Sequence, residues 1–458
     1  MLVAGTLRVP SANSEVNSAS ATALGECLLH NAVQWRLHQR IDFHADTPMT
    51  SFVTHLESAI DGTHLPAGEV QTMHKDRPLW VRYDLDAVGK VLTKEKLKQR
   101  CPWLWRYEEL LPLGHNPVAT FGEGMSPLLR ASKLGKHFGL ENLLVKDESQ
   151  LPTGSFKSRG LTMAINMAHR FGVKRVAIPT AGNAGGAMAA YAARAGIEAF
   201  VFMPRDTPII NQRECALFGA KTFLVDGLIT DCGRVVREGK EPMGWFDVST
   251  LKEPYRIEGK KTMGLELAEQ FDWELPDVIL YPTGGGTGLI GMWKAFAELA
   301  EMGWLASDKR PRMVAVQSDG CCPIVTAYEN NDRHAAPHEN PATIASGLRV
   351  PAAVGDFMIL DAVRESGGCA IAVEEERIRE WMRLATTTEG IAICPEAAAC
   401  VGALEKLTAD GWITPKERVV LFNTGAAQKY VEAMDVDLPE LDISGAIDWE
   451  KFFDIQPE

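Results

Sequence analysis

The chain has 458 residues, 46% of them apolar and 23% charged, and a formal net charge of -13. That length suits two or three domains with sizeable cores, and the ordinary balance of apolar to charged residues excludes fibrous and disordered classes. The acidic excess works against nucleic acid or an anionic membrane as the main partner, but not against a small anionic substrate, which feels its local site.

No apolar run reaches membrane-spanning length. Nine cysteines without a Cys-x-x-Cys pair, with Cys321 and Cys322 adjacent, suit reduced thiols in a cytoplasmic compartment. Residues 1–48 begin rich in Ser, Ala and Asn, lack the apolar core of a signal peptide, and carry Glu15 and Glu26. They are expected to be a mobile tail, or to precede a true start at Met49.

The first informative turn is Leu151-Pro152-Thr153-Gly154-Ser155-Phe156-Lys157-Ser158-Arg159-Gly160, which delivers one lysine to the start of an apolar helical stretch through residue 168. A lysine at the positive end of a helix and partly desolvated has its ammonium form disfavoured, so Lys157 is the candidate for Schiff-base chemistry. A helix-capping turn with a solvated lysine explains the same residues.

From residue 173 onward, short β-branched runs alternate with helical ones, the pattern of parallel α/β units. Strands are predicted over 173–178, 198–203, 221–225, 244–248, 277–281, 312–316 and 418–422, and helices over 187–195, 211–218, 231–238, 262–271 and 289–300. Ligands of such sheets collect beyond the carboxyl ends of the strands, which directs attention to the loops after Ile178, Tyr281 and Phe422.

The loop Pro282-Thr283-Gly284-Gly285-Gly286-Thr287-Gly288 runs straight into a helix, so consecutive backbone N–H groups can converge on a phosphate at the helix N-terminus. No Lys-Ser or Lys-Thr follows the glycines, which excludes a Walker loop. Gly286-x-Gly288-x-x-Gly291 matches a dinucleotide fingerprint, but the acidic residue expected about 20 positions on is missing. A plain strand-to-helix turn also fits. The loop Thr180-Ala181-Gly182-Asn183-Ala184 enters an alanine-rich helix and offers a carboxylate-sized anion site, with close helix packing as its alternative. Thr424, after the last strand, is either a ligand contact or a helix cap. A Schiff-base lysine, a phosphate cradle and a carboxylate site together form the minimum kit for pyridoxal phosphate chemistry on an amino acid.

These residues resemble the threonine synthases among the tryptophan-synthase-β-like pyridoxal phosphate enzymes. The likeness runs from about Trp80 to Tyr430 through Val81-Arg82-Tyr83-Asp84-Leu85, Leu104-Trp105-Arg106-Tyr107, Gly122-Glu123-Gly124-Met125-Ser126-Pro127-Leu128, Lys146-Asp147-Glu148 and Pro152-Thr153-Gly154-Ser155-Phe156-Lys157. It implies the fold type II architecture: α/β, two open twisted mostly parallel sheets with helices on both faces. It also implies that Lys157 holds the cofactor, Phe156 packs near its ring and Gly284, Gly285, Gly286, Thr287 and Gly288 bind its phosphate. Asn183 would meet the ring hydroxyl and Thr424 the ring nitrogen. Ser155, Thr180, Ala181, Gly182, Asn183, Ala184 and Arg256 would face the substrate.

The implied organisation is an N-terminal segment at 49–120 with a degenerate zinc-ribbon-like part, a large cofactor domain at 121–172 and 255–440, a small mobile domain at 173–254, and a tail at 441–458. The implied assembly is a homodimer acting on a small amino acid in the cytoplasm. Three departures stand out. The ribbon region, at Ser58-Ala59-Ile60-Asp61-Gly62 and Met73-His74-Lys75-Asp76, has no cysteine, so no metal is expected. Ala184 stands where these synthases place threonine. Glu253 replaces an amide in Lys252-Glu253-Pro254-Tyr255-Arg256, the segment that would grip a substrate phosphate, so a carboxylate faces the anion unless Lys252 or Lys260 neutralises it. The expected reaction converts O-phosphohomoserine and water to threonine and phosphate; the alternatives are a threonine/serine dehydratase-like β-elimination from a hydroxy or other β-substituted amino acid, and a non-catalytic paralogue.

Overall fold

The computed structural model describes residues 51–434, together with 436, 438–441, 444, 447 and 449. The segment 1–48 read as a tail, and most of 441–458, lie outside the described residues. Among the described residues thirteen strands run in chain order: β1 (Val53–Ser58), β2 (His64–Leu65), β3 (Leu79–Tyr83), β4 (Leu128–Arg130), β5 (Asn142–Asp147), β6 (Arg175–Pro179), β7 (Glu198–Pro204), β8 (Lys221–Val225), β9 (Phe246–Asp247), β10 (Val278–Pro282), β11 (Arg312–Ser318), β12 (Cys369–Val373) and β13 (Arg418–Asn423). They form three sheets, ordered β2-β1-β3, β12-β11-β10-β13-β5-β4 and β8-β7-β6-β9. The first is antiparallel; the other two are parallel throughout, apart from the β4–β5 edge pair.

The parallel strands are apolar on both faces because helices cover both. In β10, Val278 and Leu280 enter one core and Ile279 and Tyr281 another; in β13, Val419 and Leu421 part in the same way from Val420 and Phe422. The four-stranded sheet repeats the arrangement, with Val176 and Ile178 on one side and Ala177, Phe200 and Phe202 on the other. Burial on both faces is the reason these strands read as continuous runs rather than alternating ones.

Six helices matter for the site: α1 (Lys157–Arg170), α2 (Asn183–Ala195), α3 (Ile229–Glu238), α4 (Tyr255–Gln270), α5 (Thr287–Glu301) and α6 (Pro395–Ala409). Helices α1, α2 and α5 each begin at a loop singled out in the sequence. Helix α1 packs on α4 at two glycines. A Cβ on Gly259 would lie 1.9 Å from the Arg159 carbonyl oxygen, and one on Gly160 would lie 2.9 Å from Lys260 Cε. Only glycine at these positions permits so close a crossing, and the crossing sets Arg256 and Lys260 beneath Lys157. No described helix is long and apolar enough to cross a membrane.

Candidate active site

The loops after β6 and β10 meet at a cavity of about 240 Å³, which Tyr430, beyond β13, also lines. Its wall includes Phe156, Lys157, Asn183, Gly284, Gly285, Gly286, Thr287 and Gly288, which brings together the lysine, the glycine loop and the asparagine. Lys157 opens α1 and lies half-buried, with its Nζ 4.4 Å from the Phe156 ring centroid. Burial pushes its ammonium down to about 7, the neighbouring Arg256 guanidinium pushes the same way, and Glu396 partly opposes them. A neutral amine is therefore available near neutral pH.

The glycines after β10 are required by sterics. Gly286 has a φ of 70°, in the left-handed region, as the cap before α5. A Cβ on Gly284 would fall 2.2 Å from the Gly347 carbonyl oxygen, and one on Gly288 only 1.9 Å from the Tyr281 hydroxyl. The chain is thus drawn tightly round the N-terminus of α5, where unpaired backbone N–H groups favour an anion.

On the other side, Asn183 begins α2; its Nδ2 donates to the Tyr430 hydroxyl at 2.8 Å, while its buried Oδ1 has no partner. Thr180 is spent on its own loop, its hydroxyl donating to the Gly182 carbonyl and accepting from the Gly182 N–H. Ala181 lies on a separate small recess shared with Asp206 and Arg349. Ala184 is buried in the core behind α2. Ser155 is fully buried, bridged to Gly425. Thr424 sits one layer behind the wall: its carbonyl accepts from the Phe156 N–H, and its hydroxyl lies 3.6 Å from Cys394 Sγ.

Arg256 is fully buried below the cavity. Its Nη1 donates to the Val248 carbonyl at 2.8 Å, and its Nε and Nη2 have no partner. Glu253 is neither solvent-exposed nor paired with lysine. It is 1% exposed, and its carboxylate accepts from the Tyr255 N–H at 2.7 Å and the Arg256 N–H at 3.2 Å, capping α4. Burial raises its carboxyl to about 7 against the pull of Arg256. The lysines expected to neutralise it are engaged elsewhere. Lys252 lies 3.5 Å from Asp247, and Lys260 donates to the Phe156 carbonyl with its Nζ 3.9 Å from the Phe156 ring centroid. Burial, reinforced by Lys157 and Arg256, drives the Lys260 ammonium far below its usual range.

Among the wall residues that the sequence did not single out are Glu396 and Tyr430. Glu396, in the first turn of α6, accepts from the Gly347 N–H at 2.7 Å and leaves its buried Oε2 without a partner. Tyr430 lies beyond the last strand. The only local trace of the first is Cys394-Pro395-Glu396, which reads as an ordinary helix start.

A family model described as pyridoxal-phosphate dependent enzyme matches residues 119–425. The threonine synthase of Methanocaldococcus jannaschii is 35% identical over 357 residues, 78% of this chain and 87% of its own length. That of Methanosarcina acetivorans is 37% identical, over 76% of this chain and 85% of its own. That of Mycobacterium tuberculosis is 32% identical, over 74% and 92%. Among solved structures, maize serine racemase superposes with a TM-score of 0.58 at 21% identity, covering 72% of this chain and 90% of that one, a likeness of fold alone.

Proposed function

The chain belongs to the threonine synthase family of pyridoxal-phosphate-dependent enzymes, and we propose that it converts O-phosphohomoserine and water to threonine and phosphate. The residues fit the cofactor: a cradle closed to any Cβ, an amine on the same cavity, and the unpartnered Asn183 Oδ1 and Glu396 Oε2. In this reading Gly284 to Gly288 would hold its phosphate, Lys157 its aldehyde carbon and Asn183 the ring hydroxyl. When bound, the cofactor supplies an electron sink for charge at the substrate's Cα. Lys157, freed when the substrate's amine takes its place on the cofactor, would take the Cα proton at Nζ, whose ammonium burial pushes down to about 7, and would return protons later in the sequence. The observation that carries the phosphorylated substrate is Arg256, a buried guanidinium with two nitrogens lacking any acceptor, close enough to Lys157 to depress its pKa. A substrate phosphate would supply that acceptor.

One observation favours a second reading, β-elimination from threonine or serine to a keto acid and ammonia. The Glu253 carboxylate already occupies the first amides of α4, where an anion would otherwise be welcome. The purified holoenzyme separates the two. Phosphate release from O-phosphohomoserine with stoichiometric threonine is expected; keto acid from threonine, with no phosphate release, would replace the first reading by the second. Activity on neither overturns both.

A further inference from the structure

Off the cavity wall, the small antiparallel sheet gathers His55, Glu57 and His64, whose ligand atoms all lie within 4.8 Å of one another. The sheet's register explains the meeting. Glu57 on β1 pairs directly with His64 on β2, and His55 lies two residues from Glu57 on the same face. A bulge at Thr54 shifts the pairing with β3, so that His55 stands opposite Arg82.

The hydrogen bonds then orient each group. The Thr54 hydroxyl donates its one proton to the Arg82 carbonyl at 3.2 Å, so toward His55 Nδ1, 2.9 Å away, it acts as acceptor. In that arrangement Nδ1 donates to Thr54 and Nε2, buried and without a hydrogen-bond partner, is the ring nitrogen open to a ligand. Arg82 occupies the other side of Glu57, its Nη2 donating to Oε1 at 2.6 Å. The second oxygen, Oε2, faces both imidazoles, 3.8 Å from His55 Nε2 and 3.9 Å from His64 Nε2. Three donor atoms converge here, and the outward partners Thr54 and Arg82 hold two of the three ligands as second neighbours hold the ligands of metal centres.

We propose that His55, Glu57 and His64 form a site for a borderline divalent transition-metal ion of the zinc class, with water completing the coordination on the exposed His64 side. Two imidazoles and one carboxylate are a zinc-type donor set. Metal–ligand bonds of about 2.0–2.2 Å require the three atoms to close by roughly an ångström, within the reach of side-chain rotation. The ion would fasten the two-residue strand β2 to β1. Its donors lie outside the cysteine-free stretch at 58–62 and 73–76, where the sequence gives no reason to expect metal.

The test uses the untagged, full-length holoenzyme, stripped of metal by chelator and titrated with cobalt(II) chloride. A visible d–d absorption saturating at one equivalent and displaced by zinc is expected. His55→Gln and His64→Gln should each weaken binding about tenfold or more while keeping the cofactor's visible band, which reports folding. His115→Gln, which alters a separate histidine–glutamate pair, should change nothing. Absence of saturable binding, unchanged affinity in both variants, or a near-ultraviolet band from cobalt on cysteine would each overturn the proposal.

Discussion

Glu253 is the residue at which sequence and chemistry pull hardest against each other. Its carboxyl is fully enclosed and raised to about 7 from a usual 4.5, so between those values the folded chain keeps a proton that the unfolded chain has lost. Stability falls as pH rises through that window, and the penalty is complete above about 7. At about 1.4 kcal/mol per unit it amounts to about 3 kcal/mol. Glu253→Gln keeps an acceptor for the Tyr255 and Arg256 N–H groups but never ionises. Relative to wild type, the variant should gain nothing at pH 4.5 and about 3 kcal/mol at pH 8, as read by urea unfolding at the two values. On the threonine synthase reading it should also lower the KM for O-phosphohomoserine, because a charge facing the substrate phosphate is gone. A KM that does not move would place Glu253 outside the substrate's field and leave it as a helix cap.

At the scale of elements, what was legible in the sequence depended on whether burial involved apolar or charged residues. Strands β7, β8 and β11 were found within one or two residues, because their apolar runs are local signals. Helix α4 begins seven residues before the predicted 262, because its first turns carry Arg256, Glu258, Lys260 and Lys261, which look like a solvated face yet are all fully buried. Glu258 and Lys261 lie in a network with Lys294 and Glu298 that only the fold assembles. Strand β5 was hidden likewise by Lys146, which ends enclosed against Glu266 and Gln270. The predicted strand at 244–248 shrinks to two residues, since Gly244 is spent terminating a short helix. Within the site, Lys157 and the glycine loop were legible because each is a contiguous motif. Glu396 and Tyr430 reach the cavity only through tertiary structure. The same holds for the glycine contact between α1 and α4, and it carries its own prediction. Gly259→Ala should cost about 1–3 kcal/mol through overpacking against the Arg159 carbonyl and loosen cofactor binding by shifting α1. Gly89→Ala, in a helix with nothing within 4 Å, should be neutral or gain about 0.5–1 kcal/mol. Equal Tm values for the two variants would mean that the helices have room to separate.

Across the whole molecule, the cavity wall draws on both parallel sheets. Asn183, Ser249 and Thr250 come from the segment that carries the four-stranded sheet, whereas Gly284 to Gly288 and Glu396 belong to the segments of the six-stranded one. A cofactor touching both adds its binding free energy to their association, as well as to each separately. At a hundredfold excess over its Kd such a ligand stabilises the folded chain by about 2.7 kcal/mol, which for a large domain raises Tm by roughly 5 °C. Removing pyridoxal phosphate by dialysis against hydroxylamine should therefore lower Tm by about that amount, and adding it back should restore the loss in a concentration-dependent way. Lys157→Ala removes the covalent link but leaves the glycine cradle and Asn183, so it should retain part of the cofactor-dependent shift while losing the band that borohydride reduction alters. If apo and holo proteins melt together, the cofactor does not join the two sheets, and their association rests on protein contacts such as Asn183 with Tyr430, Arg256 with Val248 and Lys429 with Glu214.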